Sequence, residues 1–107
     1  MLELRYYAAA DGKSPFERWY TRLDRAAEAK VAVALIRLEH GNFSNVKPVG
    51  ESVMEYRIDW GPGYRVYFGR DGDRLVILLT GGSKARQQRD IEAAKAMWSD
   101  YKRRRTQ

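Results

Sequence analysis

The stretch Glu55-Tyr56-Arg57-Ile58-Asp59-Trp60-Gly61-Pro62-Gly63-Tyr64-Arg65-Val66-Tyr67-Phe68 constrains the fold of this chain more than any other. Apolar and polar residues alternate on both sides of Gly61-Pro62-Gly63, the pattern of two strands joined by a tight turn. Met54, Tyr56 and Ile58 take one face of the first strand, and Glu55, Arg57 and Asp59 take the other. On the return strand Tyr64, Val66 and Phe68 face the core, with Arg65 and Tyr67 opposite. A three-residue turn pairs Asp59 with Arg65 and Arg57 with Tyr67. Two arginines and a tyrosine therefore share one face of a sheet, where an apolar core has no use for a guanidinium.

The elements around this hairpin follow from the same periodicities. Leu2, Leu4 and Tyr6 alternate with polar neighbours and predict a first strand. Ser14-Pro15-Phe16-Glu17 is a helix start, with serine at the cap, proline at the first helical position and glutamate three residues after the cap. Phe16, Trp19, Tyr20 and Leu23 then recur at helical spacing. A second helix spans about 24–40, with Ala27, Val31, Ala34, Leu35 and Leu38 as its apolar stripe and Gly41 as a left-handed cap. Residues 42–52 carry Gly, Asn, Ser and Pro and read as irregular. Asp71-Gly72 marks a second hairpin, with Arg70 opposite Asp73 and therefore Val66 facing Ile77. The strand 75–79 is apolar on both faces, which suits a central position. A last helix presents Gln87, Ile91, Ala94, Trp98 and Tyr101 on one side, with Ser83 as its cap. The mixed sheet face bearing Arg65 and Tyr67 then calls for a covering element or a partner.

The 107 residues suit one domain, residues 1–101, followed by a basic tail, residues 102–107, that frays. Four of the six net positive charges lie in that tail, leaving +2 for the rest. A basic balance favours anionic partners. The chain has no cysteine, which excludes disulfides and thiol catalysis and fits a reducing cytoplasm. One histidine, His40, cannot build a histidine-based metal cluster, and its place at the end of the second helix suits capping. No apolar run approaches the length of a membrane span, and Met1-Leu2-Glu3-Leu4-Arg5 lacks a signal-peptide layout. A cytoplasmic protein without membrane association, cofactor or metal is the expectation.

Several side chains stand out as candidates. Arg57 and Arg65 offer planar forks of donors matched to phosphate oxygens. The competing reading pairs Arg65 with Asp59 and stacks Arg57 on Tyr67 as a solvated face; spacing leaves both open. Lys84 follows Gly81-Gly82-Ser83 at a strand exit, where bare backbone admits a ligand and a helix begins, or where a capped helix simply carries an exposed lysine. Arg86 and Arg89 continue the basic cluster against the helix dipole, a small cost that an anionic ligand would offset, although the neighbouring acids Asp90 and Glu92 offset it too. Lys47 lies in the irregular segment, either poised to swing over a phosphate or an ordinary surface lysine.

The order strand, helix hairpin, three-strand meander, helix resembles the RelE/ParE superfamily of bacterial toxins, and within it the HigB-like branch called addiction module killer proteins. The residues that carry the resemblance are Glu55 to Asp59, Gly61 to Phe68, then Leu78-Leu79-Thr80-Gly81-Gly82-Ser83-Lys84, with Gln87 or Gln88, then Asp90, Ile91, Ala93 and Ala94. It implies an α+β single domain of order β-α-α-β-β-β-α, with a mainly antiparallel sheet and the helical hairpin on one face. It further implies the toxin of a type II toxin–antitoxin system, held by a cognate antitoxin, that cleaves messenger RNA in the ribosome without a metal. Arg65 matches the family's strand arginine and would bind the scissile phosphate. Lys84 would be the basic catalytic group at the end of the last strand, and Arg57 would support both. Lys47, Tyr67, Arg86 and Arg89 would bind substrate, Tyr67 by stacking on a base or by orienting an arginine. The general base has no assignment, since His40 lies elsewhere and Tyr101 is far along the last helix. Other readings are a ParE-like inhibitor of DNA gyrase and a toxin-like fold that only binds.

Overall fold

A computed structural model describes residues 1–105. Its elements are β1 (Glu3–Tyr6), α1 (Pro15–Thr21), α2 (Arg25–Glu39), β2 (Val46–Gly50), β3 (Val53–Ile58), β4 (Tyr64–Asp71), β5 (Leu75–Gly82), a 3-10 turn (Lys84–Arg86) and α3 (Gln87–Arg105). The five strands form one mixed sheet in the order β1-β5-β4-β3-β2. Only the β1–β5 pairing is parallel. The domain is therefore α+β with a mainly antiparallel sheet.

Both helix starts form where the cap residues stand. The Glu17 amide donates to Ser14 Oγ at 3.2 Å, and the Ala27 amide donates to Asp24 Oδ1 at 2.9 Å. α2 ends at His40, and Gly41 follows at φ +74°. Ala27, Val31, Ala34 and Leu38 are its buried stripe. They pack with Phe16 on Tyr56, Ile58, Val66, Phe68, Val76 and Leu78. The other face of the sheet is covered by α3, whose Ile91, Ala94 and Trp98 meet Tyr67, Ile77 and Leu79.

The structure corrects four expectations. The segment 42–52 is not wholly irregular: Val46–Gly50 is an edge strand against β3, with a register shift between Pro48 and Gly50. A proline and a glycine mask a strand in sequence, yet both are tolerated at an edge. Lys47 thus sits on a strand opposite Glu55 rather than in a swinging loop. Second, the β3–β4 loop is longer than three residues. Ile58 pairs with Tyr64 and Arg57 with Arg65, a slip of two that leaves every side chain on its expected face. Third, Arg70 pairs with Val76 and Phe68 with Leu78, so an odd shift exchanges the faces of β5. Val76 and Leu78 lie beneath the helix hairpin, and Ile77 and Leu79 beneath α3.

The fourth correction concerns the tail. α3 continues through Arg105 instead of fraying after Tyr101; Thr106 and Gln107 lie outside the described residues. Tyr7 Oη donates to Asp100 at 2.6 Å, and Tyr101 Oη donates to Asp71 at 2.7 Å. Arg104 donates to Asp100 and to the Ala8 carbonyl, and Arg105 pairs with Asp71. Both guanidinium groups also lie over the rings of Tyr7 and Tyr101. The basic residues 103–105 are thus largely engaged with the fold.

Candidate functional site

The β3–β4 loop, the edge strand β2 and the exit of β5 enclose a cleft of about 580 Å³. Lys47, Arg57, Arg65 and Lys84 all line it, and among the described residues Asp59 is the one carboxylate on its wall. These four cations come from β2, β3, β4 and the 3-10 turn. The cross-strand register sets Arg57 beside Arg65. The Lys84 amide donates to the Pro62 carbonyl at 3.3 Å, which ties the β5 exit to the hairpin loop. Gly63 separates the two basic groups: a Cβ there would lie 3.0 Å from Arg65 Nη1 and 3.3 Å from Lys84 Cβ.

Arg65 forms the floor. Only 4% of it is exposed. Its Nη1 donates to the Gly63 carbonyl at 2.5 Å, and its Nε lies 3.7 Å from Glu55 Oε2. Glu55 is fully buried and has further partners on either side. Gln87 Nε2 donates to its Oε2 at 2.9 Å, and Lys47 Nζ lies 3.9 Å from its Oε1. This carboxylate draws together β2, β4 and the start of α3. It was legible in sequence only as a polar residue on the Arg57 face. Its role needed the third dimension, because α3 is what buries that face. Neither Asp59 nor Tyr67 is the arginine's companion. Arg57 and Lys84 are exposed, and among the described residues neither side chain forms an ion pair. One anchored cation, Arg65, one loosely paired, Lys47, and two without acidic partners among the described residues therefore share the cleft, a mixture that suits an anion with several oxygens.

Other candidates fall outside. Tyr67 has no exposed surface, so its ring cannot stack on a base. Its hydroxyl has no hydrogen-bond partner among the described residues, and burial followed by the nearby Glu55 charge pushes its pKa well up. Arg86 lines a separate cleft with Trp19, Tyr64 and Asp90, and Arg89 is exposed on α3. Both arginines face Asp90, whose pKa is raised by burial and lowered in smaller part by their charges. Gly81 and Gly82 do not leave room for a ligand. A Cβ on Gly81 would fall 2.2 Å from the Trp19 ring, and one on Gly82 would fall 1.9 Å from Asp90 Oδ2. The two glycines admit the protein's own side chains. Ser83 precedes the 3-10 turn without a capping hydrogen bond from its side chain.

Among the described residues no group of three or more His, Asp or Glu side chains comes together to hold a metal. No helix among them is long and apolar enough to cross a membrane.

Residues 18–99 match the family described as "Phage derived protein Gp49-like (DUF891)". A protein of Haemophilus influenzae described as "Uncharacterized protein" is 43% identical over 83 residues, covering 77% of this chain and 84% of that protein. The matched region holds the whole cleft.

Proposed function

Because this chain belongs to the Gp49-like family of phage-derived proteins, a family related to toxin–antitoxin systems, we propose that it is the toxin of a type II pair. In this reading it is cytoplasmic and acts as a ribosome-dependent endoribonuclease on messenger RNA, without a metal. The observation that carries the proposal is the convergence of Lys47, Arg57, Arg65 and Lys84 on one cleft.

The chemistry asks for what that cleft holds. The ribose 2′-hydroxyl attacks the adjacent phosphorus, the bond to the 5′ oxygen breaks, and the products are a 2′,3′-cyclic phosphate and a 5′-hydroxyl. Negative charge grows on the phosphoryl oxygens in the transition state. Donors already fixed in place stabilise that charge without reorganising. Arg65, held by Glu55 and the Gly63 carbonyl, is such a donor. Arg57 and Lys84, free of acidic partners among the described residues, add charge from the walls. Lys47 is shared between Glu55 and the cleft. Half exposed and 3.9 Å from that carboxylate, it can turn to substrate while staying near Glu55. A cognate antitoxin would neutralise the toxin by covering this charged opening.

Mapping of RNA 5′ ends after brief induction in bacteria tests the reading. New 5′-hydroxyl ends in phase with reading frames should appear, and should vanish in Arg65→Ala and Lys84→Ala. Growth arrest without new ends overturns it; arrest with DNA damage points to gyrase.

A further inference from the structure

The cationic cleft does not stop at its own rim. A second groove of about 290 Å³ runs between α2 and the end of β3, and it shares Asn45, Arg57, Ile58 and Asp59 with the first. Lys30 and Arg37 line its α2 side, and Trp60 lines its far lip. Lys30, Arg37 and Arg57 make no ion pair among the described residues, and Asp59 is the only acid on the groove. Trp60 is 37% exposed. One neighbour of its ring is Tyr64, stacked at 6.2 Å with 29° between planes, and another is Lys30 Nζ at 5.6 Å from the centroid. Tyr64 thus braces the indole, and Lys30 is the group that covers it from α2.

We propose that this groove carries the RNA chain onward from the scissile phosphate, with one base stacked on Trp60 and the flanking phosphates met by Lys30 and Arg37. A single-stranded nucleic acid presents one negative charge and one flat ring per unit. A track of cations with an aromatic platform beside it matches that repeat. Lys30 can leave the indole for a phosphate as a base takes its place. Continuity with the cleft favours RNA over a protein segment, because one polymer then satisfies both openings. Ala34, Tyr56 and Ile58 also line the groove but are buried, so Val33 and Trp60 are its exposed apolar side chains, a short strip for a docked helix. The inference rests on the nuclease reading of the cleft.

The test is binding of a fluorescently labelled single-stranded oligoribonucleotide to the protein, read by anisotropy and by tryptophan quenching. Trp60→Ala should weaken binding about tenfold. Trp60→Phe should retain affinity within a few fold while removing most of the quenching, since Trp19 and Trp98 remain. Lys30→Ala and Arg37→Ala should each reduce the salt dependence by about one unit of slope. Unchanged affinity and quenching in Trp60→Ala and Trp60→Phe would overturn the proposal. The nuclease reading would survive that result if 5′-hydroxyl ends still depend on Arg65 in cells. Loss of inhibition by an acidic protein partner in Trp60→Ala, with RNA binding intact, would reassign the groove to protein docking. Absence of both RNA binding and Arg65-dependent ends would remove the nuclease reading itself.

Discussion

Arg57 and Arg65 are direct cross-strand partners in the β3–β4 ladder, yet one is exposed and the other is almost fully buried. Like charges opposite one another in an antiparallel pair destabilise it. The fold offsets this by giving Arg65 its own buried carboxylate, Glu55, while leaving Arg57 to solvent. A cleft built for an anion is a physical reason for such a pair to persist.

The first prediction follows from that asymmetry. Arg57→Ala removes one of two repelling charges and no side-chain hydrogen bond or ion pair among the described residues. Stability should stay level or rise by about 0.5 kcal/mol, measured by thermal melting. Toxicity in bacteria should fall in the same variant.

Glu55→Gln should behave in the opposite way. It leaves the Arg65 guanidinium buried beside a neutral group. Breaking a buried pair from one side costs about 3 kcal/mol, so denaturant midpoints should drop clearly. RNA cleavage should fall as well, because Arg65 loses the partner that aims it. Retention of wild-type cleavage in folded protein would limit Glu55 to stability.

Gly63→Ala probes the narrow gap between the basic groups. Gly63 stands at φ +74°, and a Cβ would press on Arg65 Nη1. The left-handed backbone alone costs about 1–2 kcal/mol for an alanine. Thermal stability should fall by that order, and 5′-end formation should decrease beyond what the stability loss explains.

The acid limb of stability should report the α3 anchor. The hydrogen bond from Tyr101, then the Arg105 pair, hold the Asp71 carboxyl below its ordinary range. The hydrogen bond from Tyr7 leads the same effect on Asp100. A depressed carboxylate contributes stability that is complete above its unfolded pKa, about 4, and is lost as pH falls through the folded value. Melting curves from pH 6 to pH 3 should therefore show a loss beginning near pH 4. The Asp71→Asn, Asp100→Asn double variant should show a flatter profile.

Much of this was legible in the sequence, for reasons that also define where legibility ends. Ser14-Pro15-Phe16-Glu17 carries its own cap chemistry, so α1 starts where local rules put it. Alternation in residues 53–59 assigns faces correctly because a register slip of two is invisible to it. The face of β5 was not legible, because Val76, Ile77, Leu78 and Leu79 are apolar on both sides and any register satisfies them. The cationic set was visible as residue types, and the structure brings four of the seven candidates into one cleft. Glu55 and Tyr67 differ from expectation for a single reason: α3 lies over their face, and the mixed composition of that face called for a cover without saying which element supplies it.

The parallel pairing of β1 with β5 also bears on how the molecule comes into being. Among the described residues Tyr6 pairs only with Leu78, and β1 is hydrogen-bonded to no strand but β5. During synthesis the first strand must therefore wait, unpaired, until residues 75–78 have been made. Contacts this distant along the chain form slowly. The cleft draws on residues 44–84 and so matures in the same late interval. A ribosome making this protein holds, for most of that time, a chain with neither a closed sheet nor a complete grip on phosphate.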